Sequence, residues 1–265
     1  MKLFALLILA TLILVCRPSK QTKEGSWNID NDEATTTVGA VSFTFPSDGF
    51  AFSHRDSLVT QCMESIRHDC TMIHLPEFKD SILIRFVRSR KEMKSLIGRE
   101  AAGFAMPGSK TLYLVAGGKV SPPIKHELMH MVSMTTWGHP APSSTWMNEG
   151  LAAFAENDCN GYTDEQIYRF LLEKNLLVPV DSLTADFYRQ PEMIAYHQSA
   201  YIVQYLLEHY GVEKFITVWQ KGSAEFQKVY GIPFSQVEVS INTAVKKHLR
   251  HSPAIHWEVF KKGCM

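Results

Sequence analysis

At "SPP", residues 121 to 123, the chain changes its period. Upstream, β-branched and aromatic runs alternate with short helical stretches. "VGAVSFTF" predicts a strand, "DSLVTQCMESIR" a helix, "SILIRFV" a buried strand, "RKEMKSLIG" a short helix stopped by Gly98, and "KTLYLVAGG" a further strand. Downstream, the apolar pattern turns helical. "IKHELMHMVSMTTWG" runs from a proline start to a glycine stop, "TWMNEGLAAFAEN" follows the breaker "HPAPSS", Thr163 is placed to cap "DEQIYRFLLEKN", and "EMIAYHQSAYIVQYLLEHYG" ends at Gly211. "VEKFITVWQKG" and the segment from Phe234 to Leu249 complete a helical second half. A chain divided in this way predicts one α+β domain over residues 38–265, with an α/β lobe at 38–120, a helical lobe at 121–265 and a cleft where they meet. Its 265 residues, 45% of them hydrophobic, suffice for one such core.

Two segments precede that domain. "MKLFALLILATLILVC" has a single lysine and then an apolar run shorter than the ~20 residues of a spanning helix, which is the layout of an export signal. Residues 1–17 are therefore expected to be a signal peptide or a membrane anchor. Lipid attachment at Cys16 is a further reading, although Val15 stands where a small residue is usual. Residues 18–37 are polar and lack an apolar period, as a flexible tether would. The expected location is thus periplasmic, extracellular or anchored on the outer side of a membrane. There, Cys62, Cys70, Cys159 and Cys264 can pair in three ways or remain buried thiols, and the sequence leaves both open.

Lys+Arg and Asp+Glu are equal at 27 each, which excludes a global field for nucleic acid or an anionic membrane surface. The basic tail between Lys246 and Lys262 reads as a solvated helix end. Membrane association is expected only through the N-terminal segment.

The chemistry lies in "KHELMHMVSM", residues 125 to 134. Helical residues four apart share a face, so His126 and His130 can direct their imidazoles at one point, with Glu127 beside that point. A catalytic zinc needs three protein ligands and one open position, and two histidines with a glutamate form an established set. Glu149, with eighteen residues between it and His130 and early in the next helix, is the candidate third ligand. His54, His68, His74, His139, His209 and His256 show no ligand spacing to one another, and no cysteine pair has that of a zinc knuckle.

His-Glu-Leu-Met-His, with eighteen residues between its second histidine and the glutamate of Asn-Glu-Gly, resembles the gluzincin metallopeptidases, particularly the aminopeptidase and leukotriene-A4 hydrolase group and the broader peptidase-MA-like domains. The resemblance implies a thermolysin-like, two-lobed gluzincin fold holding one Zn2+ per chain between its lobes. It implies His126, His130 and Glu149 as ligands and Glu127 as general base. Glu156, seven residues beyond Glu149, matches an outer-shell carboxylate that could accept a ligand imidazole N–H, or else is an exposed helix glutamate. "AYHQSAYIVQYLLEHYG" resembles the segment whose tyrosine donates to the developing oxyanion, which points to Tyr196, with Tyr201 and Tyr188 as alternatives. His197, next to it, could assist, or is a partly exposed histidine with no role.

One departure bears on specificity. The aminopeptidases carry Gly-x-Met-Glu-Asn on the strand before the zinc helix, and its glutamate grips the substrate's amino group. Here "GFAMPG" has Pro107 in that place, so the implied activity is a peptidase of peptides or proteins, more endopeptidase than aminopeptidase. The strand from Lys110 to Val115 is expected to pair with an extended substrate. The alternatives are a zinc-stabilised, non-catalytic binding protein and a zinc hydrolase of a non-peptide substrate.

Overall fold

The computed structural model describes residues 26–30, 32–118 and 121–264. The expected export segment, including Cys16, and the first part of the expected tether lie outside the described residues.

The N-terminal lobe is built on a mixed sheet of six strands: β1 (Asn28–Ile29), β2 (Glu33–Val38), β3 (Val41–Pro46), β4 (Ile82–Val87), β5 (Gly103–Met106) and β6 (Thr111–Val115). Their order is β1-β2-β3-β4-β6-β5, with β3, β4 and β6 parallel and the outer pairings antiparallel. Alternation explains which strands occupy the centre. Phe43 and Phe45 of β3, Ile82, Ile84 and Phe86 of β4, and Leu112 and Leu114 of β6 are buried. Helices α1 (Gly49–Ser53) and α2 (Arg55–Met72) connect β3 to β4, and α3 (Arg90–Ile97) leads from β4 toward β5. The Ser89 side chain caps α3 by accepting from Glu92 N, and Gly98 ends it at φ +74°.

Two strand expectations need correction. The tether expected over 18–37 gives way to sheet by Asn28, because Ala34 and Thr36 of β2 alternate inward beneath a polar outer face. The strand beginning near Lys110 also cannot pair with a substrate, since β6 already has β4 on one side and β5 on the other. The edge strand next to the helical lobe is β5, four residues long and bounded by Gly103 and Pro107.

The helical lobe contains α4 (Ile124–Trp137), α5 (Thr145–Glu156), α6 (Asp164–Glu173), α7 (Val180–Ala185), α8 (Glu192–Tyr210), α9 (Val212–Lys221), α10 (Phe226–Tyr230), α11 (Phe234–His248) and α12 (Trp257–Phe260). Thr163 and Gln166 form a reciprocal capping box at the start of α6. A glycine sets the crossing of α5 and α8: a Cβ on Gly150 would stand 2.7 Å from the Ser199 carbonyl. That close approach brings Glu149 to the side of α8 that carries Tyr196.

One apolar core runs through both lobes, from Phe43 and Phe86 through Leu128 and Trp146 to Trp219. A smaller cluster, with Ile167, Phe170, Ile255 and Phe260, ties α6 to α12. The Cys159–Cys264 disulfide lies beside it, while Cys62 and Cys70 are buried free thiols on α2. Among the described residues no helix is long and apolar enough to cross a membrane.

Candidate metal centre

α4 places His126 and His130 one turn apart, and their Nε2 atoms face each other at 3.1 Å. α5 brings Glu149 Oε2 to 3.6 Å from His126 Nε2 and 3.4 Å from His130 Nε2. Donors around a tetrahedral divalent cation with bonds of about 2.0 to 2.1 Å stand about 3.3 to 3.4 Å apart, so these three separations fit the edges of such a polyhedron. The charges fit as well. Burial drives the Glu149 carboxyl upward, but His130 and His126 outweigh it and hold the group well below the usual carboxylate range. Burial likewise lowers His130, while Glu149, Glu127 and Asn148 outweigh it and raise the imidazole to about 9. A buried carboxylate facing two imidazoles favours a cation at their common focus.

Two neighbours orient these donors. His130 Nδ1 lies 3.0 Å from Asn148 Oδ1, and an N–H donated there leaves the Nε2 lone pair for a metal. The Tyr188 hydroxyl donates to Glu149 Oε1 at 2.7 Å, which leaves Oε2 for the histidines. The sequence offers Tyr188 as an alternative oxyanion donor and does not single out Asn148. The signal for Asn148 was its place directly before the ligand glutamate.

Glu127 lies beside the pair, against β5. A Cβ on Gly103 would fall 2.5 Å from Glu127 Cγ and 2.9 Å from its Oε1, so this strand residue must lack a side chain for the carboxylate to keep its place. Tyr196 lines the same cleft, its ring 6.1 Å from that of His126. Burial, reinforced by Glu149, raises the Tyr196 hydroxyl above its ordinary value and keeps it a proton donor. Tyr201 is elsewhere: its hydroxyl donates to Glu165.

Glu156 is exposed at the end of α5 and makes no hydrogen bond to either imidazole. Although the side chain reaches solvent, the protein packed around its carboxyl raises its pKa, only partly offset by His126 and Lys125. The imidazole orientation expected of Glu156 is supplied at His130 by Asn148 instead. His197 is buried and not partly exposed as expected, and its ring faces Asp164 and Cys264.

The cleft has a volume of about 280 Å³, with Phe104 and Ala105 of β5 on one wall and Tyr188 and Tyr196 on the other. A hollow of about 360 Å³ elsewhere, beside Tyr201 and His248, contains no comparable donor set. Chemistry, more than size, marks the site.

The sequence model of the Peptidase MA superfamily matches residues 106–246, more than half of the chain. The chain belongs to the Peptidase MA superfamily. Membership places it among peptidases, and the matched span carries His126, Glu127, His130, Glu149 and Tyr196 together. No curated protein and no solved structure matches this Peptidase MA chain.

Proposed function

We propose that this Peptidase MA chain is an exported, zinc-dependent metallopeptidase, more endopeptidase than aminopeptidase. The observation that carries the reading is the set of three separations, 3.1, 3.4 and 3.6 Å, among the buried donors of His126, His130 and Glu149. Zn2+ held by these residues would supply Lewis acidity, lowering the pKa of a water and polarising a peptide carbonyl.

The chain's own groups would do the rest. Glu127 takes a proton from the water that attacks the carbonyl carbon and later passes that proton to the leaving amine as the C–N bond breaks. Tyr196 donates its hydroxyl to the carbonyl oxygen as negative charge develops there. Asn148 and Tyr188 keep His130 and Glu149 turned toward the cleft.

β5 is the proposed docking strand, because among the described residues its outer edge pairs with no other strand, and Phe104 and Ala105 face the cleft. An extended substrate would add to that edge through main-chain hydrogen bonds. Pro107 directly after β5 puts no carboxylate where a free amino group would be held, which favours cleavage within a chain. The Cys159–Cys264 disulfide supports an oxidising, exported setting.

Mass-spectrometric product mapping on a mixed peptide library tests this. Internal cuts, lost both with a zinc chelator and in Glu127→Gln, are expected. Stepwise N-terminal trimming would replace the endopeptidase reading with an aminopeptidase one. No cleavage by zinc-loaded protein would overturn the peptidase reading in favour of binding or a non-peptide substrate.

A further inference from the structure

A second set of ligating side chains lies away from the cleft. Cys159, in the loop after α5, and Cys264, after α12, meet His197 of α8, and the ligand atoms of all three fall within 4.8 Å of one another. Asp164, in the first turn of α6, stands behind the imidazole with Oδ1 2.7 Å from His197 Nδ1. An N–H donated there leaves the Nε2 lone pair facing Cys264 Sγ, 3.8 Å away. A carboxylate that fixes the far nitrogen of an imidazole is the usual support of a metal-ligating histidine. Asp164 is 1% exposed and His197 7%, so neither side chain is there for solvation.

We propose that Cys159, Cys264 and His197 form a second metal site that the disulfide masks, selective for a thiophilic cation such as Zn2+. A tetrahedral zinc with Zn–S about 2.3 Å and Zn–N about 2.0 to 2.1 Å needs sulfur and nitrogen about 3.6 Å apart and the two sulfurs about 3.8 Å apart. The Cys264–His197 separation of 3.8 Å lies close to the first requirement, Cys159 stands within 4.8 Å of the imidazole, and cleavage of the S–S bond frees both sulfurs to take up the remaining spacings. Among the described residues no fourth His, Cys, Asp or Glu completes the set within the same distance.

Unmasking has a defined balance. A dithiol attacks the exposed Cys264 sulfur, Cys159 leaves as a thiolate, and the dithiol ends as its own disulfide while the chain gains two electrons and two protons. Metal binding then releases both thiol protons. Disulfide and metal are thus alternative clamps on one junction, the apolar cluster that holds α12 to α6. The first serves under oxidising conditions and the second under reducing ones. α8 carries both His197 of this junction and Tyr196 of the cleft.

Cobalt titration of the full chain tests the proposal, because a thiolate ligand gives Co2+ a near-ultraviolet charge-transfer band that His126, His130 and Glu149 cannot give. After treatment with a dithiol, the protein is expected to bind one further Co2+ per chain and gain that band, which the untreated protein lacks. Asp164→Asn should weaken this second binding by about 10- to 100-fold. His197→Gln should abolish tight binding, and Cys264→Ser should remove the band. Bound metal should also slow alkylation of Cys159 and Cys264 in the reduced wild type, a readout that does not depend on any variant folding. The proposal is overturned if the folded protein resists the dithiol, if reduction adds no thiolate band, or if metal leaves alkylation unchanged.

Discussion

Two histidine clusters lie in the helical lobe, and each presents an imidazole whose Nδ1 meets an oxygen acceptor while Nε2 faces other donors. At His130 the acceptor is the Asn148 amide and the companions are His126 and Glu149. At His197 the acceptor is the Asp164 carboxylate and the companions are two sulfurs. The first cluster opens into a cleft beside an unpaired strand edge and an acid–base glutamate. The second closes on an apolar cluster with neither. A similarly held imidazole thus serves catalysis or cross-linking according to the donors around it and the access of substrate.

If this contrast is correct, the largest effect belongs to the group with no counterpart in the second cluster. Glu127→Gln should keep its metal and lose turnover by about 10²- to 10⁴-fold, read from kcat on any peptide the wild type cleaves. Next comes Tyr196→Phe, expected to lower kcat by about 10²- to 10³-fold with KM little changed, because its hydroxyl acts on charge that develops in the transition state. Equal loss in KM and none in kcat would make Tyr196 a substrate-binding residue instead.

The orienting groups come third. Asn148→Ala should weaken zinc binding by about 10- to 100-fold, measured by competition with a chelator, while leaving His126 and Glu149 in place. Wild-type affinity in that variant would mean that the amide plays no part in presenting His130. The smallest change is one of stability. Cys264→Ser should cost about 2 to 4 kcal/mol in denaturant unfolding under oxidising conditions, as expected for loss of a cross-link spanning 105 residues. The difference should shrink when the wild type is reduced without metal.

The two clusters also differ in how far the sequence reveals them. His126, Glu127 and His130 are legible because a spacing of four is a property of the helix itself. Glu149 requires a second helix to return across the first, so its position makes it only a candidate, and the resemblance to gluzincins implies it as the ligand. α4, α5, α6, α8, α9 and α11 are legible from their period and stops, whereas α7 and α10, six and five residues long, carry too little pattern to show. β2 was hidden because Glu33 and three threonines disguise a strand whose inner face is small. β5 is hidden because the four residues from Gly103 to Met106 carry too little pattern. The second cluster leaves no trace in spacing, since Asp164, His197 and Cys264 are joined only by tertiary packing. The hydrogen bond from Tyr188 to Glu149 is not legible in the sequence, because it depends on the turn that precedes α8.

X-ray absorption at the zinc edge of the unreduced protein tests the central claim most directly. One zinc per chain with a shell of nitrogen and oxygen at about 2.0 to 2.1 Å, and imidazole scattering beyond it, is the predicted result. A shell containing sulfur at about 2.3 Å would contradict the account, because it would place the metal at Cys159 and Cys264 and leave His126, His130 and Glu149 without their cation.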